Sequence, residues 1–179
     1  EASRQEYRSG TDEARAVMYQ ASKIFLIGFM GSGKSTAGRK LASQLNWSFI
    51  DLDEKIQKME GMKIPDIFSL KGEPYFRKLE AQALQELKSE KDTVISTGGG
   101  TPCFGDNMDF MMSSGLTVYI RMTPVNLKKR LEGSAEGRPL LKEIDMKDLQ
   151  EYITSKLAER EKWYSRAEVI IDVVNNDLP

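Results

Sequence analysis

Gly28-Phe29-Met30-Gly31-Ser32-Gly33-Lys34-Ser35 has the spacing G-x-x-x-x-G-K-[ST] of a phosphate-binding loop and directly follows the apolar run Ile24-Phe25-Leu26-Ile27. Glycines at 28, 31 and 33 let the backbone turn tightly and aim its N–H groups at phosphate oxygens. The segment that follows can open a helix whose positive end favours the same anion. The chemistry is nucleoside triphosphate binding through Gly31, Ser32, Gly33, Lys34, Ser35 and Thr36, with Lys34 reaching the outer phosphates and the Ser35 hydroxyl ligating Mg²⁺.

Other residues could act on a triphosphate. Asp51-Leu52-Asp53 ends an apolar run, so two carboxylates can point the same way if the strand persists. One could work through Mg²⁺-bound water and the other could orient a substrate hydroxyl; equally, Asp53 could simply cap the next helix. Arg77 and Glu80 lie three apart on a helical pattern. They form either a surface ion pair or a guanidinium held rigid for a substrate carboxylate. Gly98-Gly99-Gly100 removes side chains where a ligand or another backbone must come close. The glycine-flanked stretch from Gly133, with Arg138-Pro139-Leu140-Leu141 after it, reads as a lid over about 133–145, and Arg138 could fold over the phosphates. Arg160 stands among many charges and by itself reads as solvated. Cys103 is read as packing, with a thiol whose modification blocks the site as the alternative. The chain has no histidine, so a base near neutral pH must be a carboxylate, lysine, thiol, tyrosine or water.

These residues need a scaffold. Short β-branched or aromatic runs at 23–27, 47–51, 93–96, 117–121 and 169–172 read as strands. Helical patterns fall at 33–45, 53–60, 65–70, 75–88, 106–114, 124–132 and 147–165. Strands alternating with helices give an α/β class with a parallel sheet, and ligands at the strands' C-terminal ends. The 179 residues suit one domain, 23–179. Polar residues 1–22 read as an N-terminal extension or cloning remnant, with Met18 as a second possible start. With 26 basic and 27 acidic residues, no basic surface for nucleic acid is implied. No apolar run approaches the roughly 20 residues of a membrane span. A single cysteine agrees with a cytoplasmic location. A monomer is the expected state.

The loop at 28–36, Asp51 and Asp53, Phe76-Arg77-x-x-Glu80, Gly98-Gly99-Gly100, Arg138-Pro139-Leu140-Leu141 and Arg160-x-x-x-Tyr164-x-x-Ala167 together resemble the shikimate kinase family. The resemblance covers about 24–172, with the motifs in the family's order. It implies a three-layer P-loop kinase fold: a five-stranded parallel sheet flanked by helices, with a lid and a substrate-binding helical region. It also implies ATP-dependent phosphorylation of the 3-hydroxyl of shikimate, a step of chorismate and aromatic amino-acid biosynthesis, with Mg²⁺ as cofactor. On that pattern Arg77 and Arg160 take the substrate carboxylate, and Asp53 with Gly98, Gly99 and Gly100 holds the hydroxyls. Asp51 assists Mg²⁺ with Ser35. Lys34 and Arg138 stabilise the transferring phosphoryl group, and Arg130 lies against the adenine. The chain departs from the family at Val174-Asn175-Asn176, where an arginine often stands near the base. The competing functions are a related kinase for another polyol acid such as gluconate, a nucleotide kinase, or a non-catalytic nucleotide-binding module.

Overall fold

Central parallel strands are covered on both faces, whereas edge strands are covered less. The computed structural model, which describes residues 21–132 and 148–173, shows that difference in burial. Strands β1 (Lys23–Ile27), β2 (Ser48–Asp51), β3 (Thr93–Ser96), β4 (Leu116–Arg121) and β5 (Val169–Asp172) form one sheet in the order β2-β3-β1-β4-β5. Every neighbouring pair is parallel. All five residues of central β1 are buried, while edge strands β2 and β5 are largely exposed or half-buried.

Alternate residues of each strand face opposite layers. Ile24, Leu26, Val94, Val118 and Ile120 enter one core with Ala42, Leu127, Leu131, Leu149 and Ile153. Phe25, Ile27, Ile95 and Tyr119 enter the other with Leu52, Ile56, Ile67, Phe76, Leu84, Met108 and Tyr164. The helices of these layers are α1 (Lys34–Leu45), α2 (Leu52–Glu60), α3 (Ile64–Lys71), α4 (Glu73–Gln85), α5 (Asn107–Ser114), α6 (Pro124–Glu132) and α7 (Leu149–Tyr164). The three-layer α/β architecture expected from the sequence is present.

Boundaries differ where a single residue overrides the periodic pattern. Helix α2 begins at Leu52 because the Asp51 carboxylate caps it, Oδ1 accepting from Asp53 N at 3.1 Å and Glu54 N at 3.3 Å. Helix α4 begins at Glu73, earlier than expected, because Pro74 occupies its first turn, where a missing N–H costs nothing. It tightens into a 3₁₀ turn at Glu86–Ser89. Gly72, at φ +79°, separates α3 from α4. The lid at 133–145 with Arg138, residues 1–20 of the N-terminal stretch, and Val174 to Asn176 lie outside the described residues.

The turn from α5 into β4 fixes how closely the central strands approach. A Cβ at Gly115 would lie 2.7 Å from the Lys23 carbonyl oxygen and 2.8 Å from Lys23 Cβ, both fixed parts of β1. Gly115→Ala should therefore cost about 2 kcal/mol of stability, read as a lowered urea midpoint; a midpoint equal to wild type would show that β1 and the turn are not in tight register.

Candidate active site

The phosphate loop leaves β1 at Gly28, whose φ of +143° and distance of 2.7 Å from an added Cβ to the Ile120 carbonyl oxygen leave no place for a side chain. Gly33, at φ +92°, precedes α1, and no side chain caps that helix end. Its first N–H groups are thus available to an anion. Lys34 is buried, and its Nζ donates to the Gly28 and Phe29 carbonyl oxygens at 2.9 Å each, bridging the loop it would serve. The Ser32 hydroxyl is fully buried with no hydrogen-bond partner among the described residues. An orphaned donor at the centre of such a loop fits a phosphate oxygen as its missing partner. Arg130 stands in the last turn of α6.

The parallel register sets Asp51 level with Ser96, and Ser96 level with Leu26 at the end of β1. This brings the ends of β2, β3 and α1 together. Ser35 Oγ donates to Asp51 Oδ2 at 2.6 Å and sits 3.2 Å from Ser96 Oγ. A hydroxyl and one carboxylate beside a phosphate loop suit Mg²⁺, which takes few protein ligands and keeps phosphate oxygens and water for the rest. Among the described residues no cluster of three acidic or cysteine side chains could hold a metal alone.

Asp51, by capping α2, releases Asp53 from the role of cap and leaves it to face the cleft. Burial, then the neighbouring charges of Asp51 and Glu80, raise the Asp53 carboxyl to about 6 against the pull of Lys34 and Arg77.

The triple glycine is where the site closes. A Cβ at Gly98 would lie 2.9 Å from Asp53 Oδ1, one at Gly99 3.2 Å from Arg160 Nη1, and one at Gly100 2.8 Å from Arg77 Nη2. Asp53, Arg160 and Arg77, from three different helices, thus each press on one of three successive glycines. Arg77 is no surface ion pair. Its Nη1 donates at 2.8 Å to Glu80, whose side chain is only 1% exposed, and the other Glu80 oxygen accepts from Thr101 Oγ1 at 2.5 Å. Nε and Nη2 donate to Glu73 at 3.1 and 3.0 Å. Of five guanidinium N–H groups, these bonds leave two for a ligand.

Arg160 reaches Gly99 from α7 and lies 5.3 Å from the Phe29 ring of the phosphate loop. One turn on, the buried Tyr164 donates its Oη to the Gly99 carbonyl oxygen at 2.5 Å, and burial keeps that phenol protonated. Cys103 is half-buried and packs against the second core. Burial pushes its thiol up to about 11, despite Arg160 and Arg77, which favours the packing role over a reactive one.

Ser96, Thr101 and Tyr164 carry parts of this geometry that the sequence alone did not assign. Ser96 becomes visible only once the strand order puts β3 between β1 and β2. Thr101 and Tyr164 act on groups 21 and 65 residues away, and no local pattern marks such pairs.

The shikimate kinase family model matches residues 30–178. The chain is 42% identical over 150 residues to the shikimate kinase of Parabacteroides distasonis, covering 84% of this chain and 87% of that one. The crystal structure of shikimate kinase from Bacteroides thetaiotaomicron superimposes with a TM-score of 0.82 at 39% identity, covering 85% of this chain and 86% of the other. The structure of shikimate kinase from Acinetobacter baumannii in complex with shikimate gives a TM-score of 0.80 at 33% identity, covering 87% of this chain and 85% of the other. With the phosphate loop, the paired carboxylates and the three occupied glycines in place, the chain belongs to the shikimate kinase family.

Proposed function

We propose that this chain transfers the γ-phosphoryl group of ATP to the 3-hydroxyl of shikimate, releasing ADP and shikimate 3-phosphate. The observation that carries this is the convergence of two guanidinium groups and one carboxylate on three successive glycines. Shikimate presents one carboxylate and three hydroxyls on a rigid ring. Arg77, with two N–H groups remaining, and Arg160 match the carboxylate, while Asp53 and the Gly98 to Gly100 backbone match hydroxyls.

Asp53 accepts the hydrogen bond of the 3-hydroxyl and takes its proton as the oxygen closes on the γ-phosphorus and the bond to the β-phosphate oxygen breaks. Because such transfer has a loose transition state, orientation by Asp53 contributes more than early deprotonation. Lys34 swings from the Gly28 and Phe29 carbonyls to the outer phosphates, and Ser32 gains its missing partner there. Arg138 adds positive charge from the lid, and Arg130 lies against the base. Ser35 and Asp51 would hold Mg²⁺, which would supply positive charge against the phosphates. Residues 23–179 act as a single catalytic domain, monomeric and cytoplasmic, on small molecules. The size, the near-neutral charge and the single cysteine support that reading, and no helix among the described residues is long and apolar enough to cross a membrane.

The direct test is ADP release from Mg·ATP with and without shikimate. Release should depend on shikimate and should not be supported by gluconate or a nucleoside monophosphate; turnover of either of those instead would overturn the acceptor assignment.

Asp53 has a second consequence. Its carboxyl sits at about 6 in the folded chain against an ordinary 3.8, so folding disfavours the ionised form. The stability cost is full above about pH 6 and absent below about pH 4. Asp53→Asn should therefore raise stability at pH 7.5 by on the order of 2 kcal/mol and leave it unchanged at pH 3.5. It should also lower shikimate-dependent turnover by roughly a hundredfold or more. Thermal melts at the two pH values check the sign, and equal melting at pH 7.5 would contradict the burial cost.

A further inference from the structure

Directly after the 3₁₀ turn at Thr101–Cys103 stands Phe104, a large apolar side chain left 37% exposed and belonging to neither core among the described residues. Its ring centroid lies 3.9 Å from Cζ of Arg77, so an aromatic face rests against the guanidinium. The position of the ring is fixed from below. Cys103 N donates to the Gly100 carbonyl at 2.9 Å, Asn107 N to the Phe104 carbonyl at 3.3 Å, and Asn107 Nδ2 to the Thr101 carbonyl at 3.0 Å. The loop that carries the triple glycine therefore also delivers this ring to Arg77.

Stacking engages the π face of the guanidinium and consumes no N–H group. The in-plane donors are divided otherwise: Nε and Nη2 to Glu73, Nη1 to Glu80. A guanidinium held in plane by two carboxylates and pressed on its face by a ring cannot rotate away from its two remaining donors. It is also shielded from water on the ring's side, which strengthens any ion pair it makes. A residue placed only to bury apolar surface would lie in a core rather than exposed at the mouth of the site.

We propose that Phe104 is a positioning residue for the acceptor: its ring fixes the plane in which Arg77 offers two N–H groups to the shikimate carboxylate. This rests on the assignment of Arg77 to that carboxylate.

The test is calorimetric binding of shikimate and, separately, of Mg·ATP to the full chain and to Phe104→Ala, Phe104→Leu and Phe104→Tyr. Being exposed, the position tolerates all three without loss of the fold. Phe104→Ala and Phe104→Leu should weaken shikimate binding by roughly five-fold. Phe104→Tyr, which keeps the π face, should stay within about two-fold of wild type on the same basis, and ATP affinity should not move in any variant. Shikimate binding by Phe104→Leu equal to wild type would overturn the proposal, as would parallel loss of shikimate and ATP affinity in Phe104→Ala. A wild-type chain that binds ATP but no shikimate would overturn the acceptor assignment beneath it, so the two failures read differently.

Discussion

The structure around the cleft depends on a scarcity of space at one loop. Residues 98 to 100 carry no side chains, and the room this leaves is taken by Asp53 from α2, Arg160 from α7 and Arg77 from α4. Three charged groups from distant parts of the chain can converge only because the loop between them is bare backbone. The loop is held in turn: Thr101 N donates to the Gly98 carbonyl at 3.1 Å, and Tyr164 donates to that of Gly99. Glycine here serves close approach rather than flexibility.

Each charge brought into that space raises an electrostatic cost, and the site meets it unevenly. Glu80 is almost wholly buried, but two hydrogen-bonding partners, one of them charged, satisfy its oxygens. Asp51 is satisfied by the α2 N-terminus and Ser35. Asp53 is buried, with two carboxylates nearby and cations that only partly offset them, which is why its carboxyl is pushed up. The cost falls on the group proposed to orient the acceptor hydroxyl and take its proton, and this is where a strained, functional group is expected.

The chain's own pattern revealed most of the fold because its signals are local. The unbroken apolar run of β1, the first-turn proline of α3 at Pro65 and the glycine-rich loop are all written within a few residues of the elements they set. The phosphate loop and the triple glycine were legible for the same reason. Asp53 was not resolved, because a cap and a cleft carboxylate look alike until the cap is seen to be Asp51. Arg160 had no signal of its own among the charges of α7; only the ordered set of motifs singled it out. Thr101, Ser96 and Phe104 make their contacts through register or across residues far apart in sequence, where spacing says nothing, and Tyr164 stood out only as part of the motif it shares with Arg160.

The measurement that bears most directly on this account is shikimate and Mg·ATP binding to Gly100→Ala, with its melting temperature. The added Cβ would meet Nη2, Nη1 and Cζ of Arg77 at 2.8, 2.9 and 3.1 Å. Arg77 can yield only by leaving the buried Glu80. If the bare loop exists to seat that guanidinium, shikimate affinity falls by roughly tenfold or more and the melting temperature drops as Glu80 loses its charged partner, while ATP affinity stays near wild type. Wild-type shikimate affinity in Gly100→Ala would contradict the account.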